Sequence, residues 1–131
     1  MDRRTISGSS PYEAPIGFSR AVRTGPLIEV SGTGPVWPDG EVDPDPEVQA
    51  DRCLAIALEA LRTAGGTVAD VVRTRMYLTD AADWQAVGRA HGRCFRDVRP
   101  AATMVVVAGL LDSRWKVEIE IQAVVAGGWG G

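Results

Sequence analysis

The fold is decided near the end of the chain by the stretch Lys116-Val117-Glu118-Ile119-Glu120-Ile121-Gln122-Ala123-Val124-Val125. Apolar and polar residues alternate there, and a period of two is typical of a β-strand. The apolar residues therefore share one face of the strand, while Glu118, Glu120 and Gln122 share the other. This pattern predicts a sheet with one buried face and one polar face.

Two more strands and a helix precede this stretch. Val71 to Thr79 also alternates, which predicts a strand with one apolar face. Met104 to Ala108 is apolar on both faces, as expected of a central strand that is buried on both sides. Between them, apolar residues at helical spacing from Trp84 to Phe95 predict a helix that ends before Pro100.

A hairpin and a longer helix make up the first half of the chain. Phe18 to Arg23 and Leu27 to Ser31 are two β-like runs separated by a turn. Gly32 to Pro46 is rich in glycine and proline and predicts an ordered loop. Asp45 then caps a helix that ends at Gly65.

These elements predict one α+β domain over residues 1–131, with a core of about residues 16–125 and a mobile, glycine-rich tail at 126–131. Two helices can cover only one face of the sheet. The other face needs a cover, and a neighbouring copy of the chain is the natural candidate. A symmetric oligomer with clefts at the subunit borders is therefore expected.

Composition excludes several classes of protein. The chain has 131 residues and a net charge of −3, so it lacks the positive field that would hold a nucleic acid. Its longest uncharged apolar stretch, residues 101–111, is about half of what a membrane span needs. The N-terminus lacks the apolar region of a secretory signal. A cytoplasmic location without a membrane partner is therefore expected.

Several kinds of site are also disfavoured. Cys53 and Cys94 lie far apart, and with His91 as the only histidine they predict no zinc or other metal site, but two reduced thiols in the core. The same histidine cannot be tied to a Ser/His/Asp set. Lys116 is the only lysine, and nothing argues for a Schiff base on it. Ser31-Gly32-Thr33-Gly34 lacks the third glycine of a phosphate loop and predicts a turn.

Six segments together resemble the RidA/YjgF family of small proteins, whose best-known members hydrolyse reactive enamines and imines. They are Gly17-Phe18-Ser19-Arg20-Ala21, Val30-Ser31-Gly32 followed by Pro35 and Pro38-Asp39-Gly40, the helix end Ala64-Gly65, Asp70-Val71-Val72-Arg73, Pro100-Ala101 and Val117-Glu118-Ile119-Glu120. The resemblance implies a chorismate-mutase-like mixed sheet with two helices packed on one face. It also implies a homotrimer whose sheets form a central barrel, a small-molecule pocket between each pair of subunits, and no cofactor.

Three departures from the family pattern bear on function. Ala102, followed by Thr103, stands where deaminating members have an arginine that holds the substrate carboxylate. Phe18 lacks the aromatic hydroxyl of those enzymes, and Gly88 stands where an asparagine is frequent. Without a charged partner, the carboxylate of a 2-imino acid should not bind here as it does in the deaminases.

The resemblance leaves Glu120 at the family's acidic position as the candidate catalytic residue, where a carboxylate can hold water and move protons. Backbone groups around Ser31, Gly32 and Met104 are expected to hold polar atoms of the substrate. An alternative interpretation is that Glu118 and Glu120 are solvated charges on the polar side of an edge strand.

Three other side chains allow two interpretations each. His91 is either an acid or base of the pocket or a buried histidine bonded to a backbone carbonyl. Trp37 either stacks on a ligand or holds the loop in place. Arg20 either replaces the missing cation or, as is usual for arginine, is exposed.

Two functions follow. The first is a divergent RidA-like enzyme, hydrolase- or deaminase-like, that acts on a small imine, enamine or related carbonyl-derived compound and is not a standard 2-imino-acid deaminase. Its substrate-binding residues would be Phe18, Ser31, Gly32, Trp37, Gly88, His91, Ala102, Thr103 and Met104. The second is a non-catalytic trimer that binds a small molecule or a partner. Ribonuclease activity, sometimes attributed to the family, is disfavoured because the chain is acidic and offers no basic groove.

Overall fold

A computed structural model of the chain describes residues 2–126, and over this range the protein has a six-stranded sheet, two long helices and one short helix. The elements in chain order are β1 (Arg3–Ile6), α1 (Glu13–Ile16), β2 (Ala21–Thr24), β3 (Leu27–Thr33), α2 (Pro46–Thr63), β4 (Val71–Leu78), α3 (Trp84–Phe95), β5 (Ala101–Val106) and β6 (Val117–Val124). Short 3-10 turns at Val68–Asp70 and Ala81–Asp83 lead into β4 and α3.

The sheet is mixed, with the strand order β1-β2-β3-β6-β4-β5. β4 and β5 run parallel and are joined through α3, whereas the other neighbours pair antiparallel. The predicted hairpin is β2 and β3, although its first strand begins at Ala21 and not at Phe18. The α+β architecture predicted from the sequence is confirmed.

The ends of α2 follow from its sequence. The Asp45 carboxylate accepts hydrogen bonds from the backbone N–H groups of Glu47 and Val48, at 2.8 and 3.2 Å, which satisfies donors that the helix itself cannot pair. At the other end Gly65 takes a φ of +92°, which a glycine adopts without strain. Both predicted helix ends are therefore confirmed.

Both long helices pack on one face of the sheet and enclose the core. Residues that alternate along β6, from Val117 to Ala123, meet the buried side of α2 and the residues Val87, Ala90 and Phe95 of α3. Cys53 lies in this core and is a free thiol, and Cys94 is a free thiol packed against its edge. Burial raises the pKa of the Cys53 thiol, so it is a protonated core residue.

The opposite side of the sheet, called the open face below, carries the polar half of the same alternation. Glu29 of β3, Arg75 and Tyr77 of β4, and Glu118 and Glu120 of β6 project from it. Glu29 is exposed, and the other four side chains are half-buried. The prediction of a sheet covered by helices on one side only is therefore confirmed.

The structure corrects two expectations about strand positions. The strand predicted at Met104 to Ala108 is β5, which begins three residues earlier and lies at the edge of the sheet. It is not buried on both sides, because it pairs with β4 alone and Val106 keeps 55% of its surface exposed. Conversely, β6 lies between β3 and β4, so Glu118 and Glu120 are not on an edge strand.

Sequence patterns did not predict β1 or α1, whose short segments lack a clear period. Of the glycine-rich tail predicted at 126–131, all but Ala126 lies outside the described residues. Among residues 2–126, none of the helices combines the length and the apolar character that crossing a bilayer requires.

Candidate functional site

The predicted loop residues Ser31 and Gly32 lie at an irregularity in β3. The pairing with β6 shifts by one residue between Val30, opposite Ile121, and Thr33, opposite Ile119. Such a bulge bends the strand and redirects its side chains. The Ser31 hydroxyl donates to the carbonyl oxygen of Ser19 at 2.7 Å, which fastens the bulge to the segment before β2.

The bulge brings Glu118 against Gly32. A Cβ placed on Gly32 would lie 2.7 Å from Oε2 of Glu118, so the carboxylate occupies the space that a side chain at position 32 would fill. Phe18, Arg20, Ser31, Gly32 and Glu118 together form what is called the bulge cluster below. Burial raises the pKa of Glu118, the nearby Arg20 opposes that rise, and Glu120 adds to it.

Arg20 is buried and only 7% exposed, so the expectation that it is exposed was wrong. Its Nη2 donates to the carbonyl oxygen of Gly32 at 2.7 Å, and its guanidinium carbon lies 5.5 Å from the centre of the Phe18 ring. The N-terminal segment covers it, since a Cβ on Gly8 would lie 3.1 Å from Cβ of Arg20. The guanidinium thus supports the backbone of the bulge.

Glu120, the predicted catalytic residue, lies further along the open face. Its Oε1 accepts a hydrogen bond from the Tyr77 hydroxyl at 2.8 Å and lies 3.5 Å from Nη1 of Arg75. The hydrogen bond to Glu120 is the main cause that raises the pKa of Tyr77. This carboxylate is therefore held by a phenol and a guanidinium, whereas Glu118 contacts the bulge.

A third group of predicted residues lies at the β5 edge, on the side of the sheet that carries the helices. His91 shares a 2.8 Å hydrogen bond with the hydroxyl of Thr74, which is aligned with Ala102 of β5. A Cβ on Gly88 would meet nothing within 4 Å, so the helix surface is open there. Met104 lines a shallow depression beside Trp84.

The partner of His91 is thus a threonine hydroxyl and not the backbone carbonyl considered above. The imidazole also packs against Phe95, with ring centres 4.6 Å apart. Burial lowers the pKa of His91, so the ring is neutral at pH 7.

Two of the predicted substrate-binding residues, Trp37 and Thr103, contact arginine side chains. The guanidinium of Arg52 stacks on Trp37 at 4.4 Å from the ring centre and donates to the carbonyl oxygen of Val36, which supports the interpretation of Trp37 as a residue that holds the loop. On the open face, Nη2 of Arg73 donates to the Thr103 hydroxyl.

A single chain therefore does not gather the predicted residues into one pocket. Phe18, Ser31 and Gly32 meet in the bulge cluster, while Glu120 and Thr103 lie on the open face. Gly88, His91, Ala102 and Met104 line the opposite side of the β5 edge, and Trp37 lies in the loop before α2.

Sequence reasoning missed the positions of Glu118 and Arg20. Glu118 and Glu120 share one face of β6, so alternation alone does not distinguish them. The distinguishing feature is the bulge in β3, for which the glycine at position 32 is a weak signal. Among the described residues, no group of three or more His, Cys, Asp or Glu side chains could hold a metal ion.

The family model described as endoribonuclease L-PSP matches residues 9–125. An uncharacterized protein of Streptomyces coelicolor, SCO2049, is 39% identical over 92% of this chain and 90% of its own length. A RutC family protein of Haemophilus influenzae is 36% identical over 82% of this chain and 84% of its own length.

A crystal structure gives the same result. That of Rv2704 from Mycobacterium tuberculosis, described as a member of the YjgF/YER057c/UK114 family, superposes with a TM-score of 0.87 and 41% identity over 95% of this chain and 100% of that one. Fold, family model and relatives agree with the resemblance found in the sequence, and the chain belongs to the RidA/YjgF family.

Proposed function

We propose that the chain is a divergent RidA-like enzyme that hydrolyses a small imine, enamine or related carbonyl-derived metabolite lacking a carboxylate handle. The observation that carries the proposal is the half-buried Glu118, whose pKa is raised by burial and whose carboxylate lies against Gly32. A carboxyl group with a raised pKa exchanges protons near neutral pH more readily than an ordinary one.

In this reaction the oxygen of a water molecule attacks the carbon of the C=N bond while the Glu118 carboxylate takes a proton from the water. The protonated carboxyl then returns this proton to the nitrogen, which gives a carbinolamine. The carboxylate next takes the proton of the carbinolamine hydroxyl and passes it to the nitrogen as the C–N bond breaks, which releases ammonia and a carbonyl compound. Sequence analysis predicts Glu120 for the role. The geometry favours Glu118, because Tyr77 and Arg75 already bind the carboxylate of Glu120.

Position 102 supports a substrate without a carboxylate. Ala102 has no polar side-chain atom, and its neighbour in register is Thr74, which is bonded to His91. Residue 102 would provide no charged partner for a buried substrate carboxylate, and burying that unpaired charge would cost on the order of several kcal/mol of binding free energy. A neutral imine avoids that penalty.

We also propose that the active form is a homotrimer in the cytoplasm, with the pocket between subunits. The pocket between subunits is supported by the positions of the predicted residues, which lie on both sides of the sheet in a single chain. The edge strand β5 further exposes Val105 and Val106, an apolar surface of the kind that a subunit contact buries.

The test compares Glu118→Gln with Glu120→Gln, which removes a carboxylate from the same strand face. Release of the carbonyl product is followed with carboxylate-free imines and with 2-iminobutyrate generated in situ. We expect preference for the carboxylate-free imines and a rate loss of about 10²-fold in Glu118→Gln only. Faster hydrolysis of 2-iminobutyrate would contradict the proposed substrate class, and an unchanged Glu118→Gln would contradict the proposed role.

The absence of three polar contacts at Phe18, Gly88 and Ala102 favours a second candidate, a trimer that binds a small molecule without converting it. In that case neither carboxylate variant changes ligand binding, and no imine in the panel is hydrolysed.

A further inference from the structure

A cavity of about 90 Å³ shares Arg20 with the bulge cluster and is lined by no residue of β5. It is enclosed by the N-terminal segment around Ser10 and Tyr12, by Arg20, by Gly34 just after β3, and by Trp115 just before β6. Its volume corresponds to roughly three water molecules. The proposed chemistry on the open face does not use this cavity.

Two buried N–H groups in the residues around this cavity lack acceptors. Nε of Arg20 and Nε1 of Trp115 have no hydrogen-bond partner within residues 2–126, and their side chains belong to residues that are only 7% and 8% exposed. Leaving a buried donor unpaired is costly, and more so for a charged group. Both residues line the same cavity, so a ligand there lies beside both side chains.

Arg20 is also a buried cation without a direct counter-ion. Its one hydrogen bond among the described residues goes to the neutral carbonyl of Gly32, and no carboxylate in that range lies within salt-bridge distance. The carboxylate of Glu13 is engaged by the backbone N–H of Gly8, at 3.0 and 3.1 Å. Glu13 and Glu118 act on Arg20 from a distance and do not pair with its Nε, so a hydrogen bond to this group is still available to an anion in the cavity.

The walls of the cavity hold the tryptophan in place. A Cβ on Gly34 would lie 2.6 Å from two carbons of the Trp115 ring, so the indole packs directly on this glycine. The Ser10 oxygen accepts from the backbone N–H of Tyr12 at 3.2 Å, which leaves its own hydrogen free to donate. The groups available to a ligand are therefore donors on rigid supports.

We propose that this cavity binds a small monocarboxylate of the size of acetate or pyruvate, whose two oxygens accept from Arg20 and Trp115. A carboxylate supplies acceptors only, which matches walls that supply donors. A neutral amide would place its own N–H groups against those donors. A dianion such as phosphate is disfavoured relative to a monocarboxylate, because the carboxylates of Glu13 and Glu118 near Arg20 repel the second negative charge as well as the first.

The experiment follows the tryptophan indole N–H signals of the ¹⁵N-labelled full chain while acetate or pyruvate is added, with chloride and acetamide as matched controls. Trp115→Phe identifies the Trp115 signal. We expect that signal to shift saturably with the carboxylates and not with the controls, while the signal of the exposed Trp84 stays in place. An unmoved Trp115 signal would mean that the cavity holds only water, and would overturn the proposal.

Ligand-observed NMR of the acetate methyl group then measures affinity in the variants. Trp115→Phe keeps an aromatic ring but lacks the donor, and should weaken binding by on the order of tenfold. Arg20→Lys keeps the charge but lacks Nε and should weaken it as well, whereas Trp84→Phe should not. Equal affinity in Trp115→Phe, Arg20→Lys and the unmodified chain would show that the carboxylate binds elsewhere.

Discussion

Replacing Gly32 by alanine should lower the rate of the proposed reaction without a comparable loss of stability of the fold. The new Cβ would lie 2.7 Å from Oε2 and 3.0 Å from the carboxyl carbon of Glu118. These atoms are the far end of a flexible side chain, so the carboxylate can move aside with a stability loss of less than about 1 kcal/mol. A displacement of about 1 Å of a catalytic group, however, costs up to about 10²-fold in rate.

Gly34→Ala is the matched control, because the two glycines lie two residues apart. Its Cβ would lie 2.6 Å from the Trp115 ring, which is buried and cannot move aside easily. Overpacking of this kind costs about 1–3 kcal/mol. The two variants should therefore separate loss of activity from loss of stability.

Urea unfolding and imine hydrolysis are measured on both variants. We expect Gly32→Ala to lose activity while it keeps its unfolding free energy, and Gly34→Ala to lose unfolding free energy. If Gly32→Ala hydrolyses imines at the original rate, the carboxylate beside Gly32 does not carry the reaction. If it unfolds as readily as Gly34→Ala, the carboxylate is not free to move as assumed.

Three further predictions concern charge and assembly. Burial raises the pKa of Glu118 above its ordinary value of 4.5, so the charged form of this side chain destabilises the fold at neutral pH. Glu118→Gln should therefore raise the unfolding free energy at pH 7, and this gain should vanish below pH 4.5. Burial lowers the pKa of His91 from 6.5, so as the pH falls this histidine is protonated in the unfolded chain before it is protonated in the folded chain. The unfolding free energy should then fall as the pH drops below 6.5, and urea titrations should show a smaller fall in His91→Gln. Val106→Asp, at the exposed β5 edge, should leave the unfolding free energy of the single chain within about 1 kcal/mol but dissociate the proposed trimer in sedimentation experiments. An unchanged particle mass would count against a subunit contact at this edge.

The sequence predicts individual helices and strands better than it predicts which strands lie next to each other in the sheet. The alternation in β6 and the cap at Asp45 depend on adjacent residues, and both predictions are confirmed. The position of β5 was predicted wrongly because an apolar run at an edge and one in the centre of a sheet share the same pattern. Strand order depends on pairing between distant segments, which the period of one strand does not encode.

The site shows the same limit at the level of single side chains. Arg20 was expected to be exposed because arginines usually are, but the segment around Gly8 folds over it. Glu118 and Glu120 are equivalent in the sequence pattern, and only the one-residue shift opposite β6 sets Glu118 beside Gly32. A bulge depends on the pairing of two strands, so neither strand alone reveals it.

The arginines on or beside the strands argue further for a substrate without a carboxylate. Arg75 lies within 3.5 Å of Glu120, Arg73 donates to Thr103, and Arg20 donates to the carbonyl oxygen of Gly32. Arg75 would have to give up its contact with Glu120 to supply the positive charge that Ala102 lacks. Losing such a contact leaves a polar partner unpaired, which offsets the gain from binding a carboxylate. The proposed pocket therefore favours a substrate without a carboxylate.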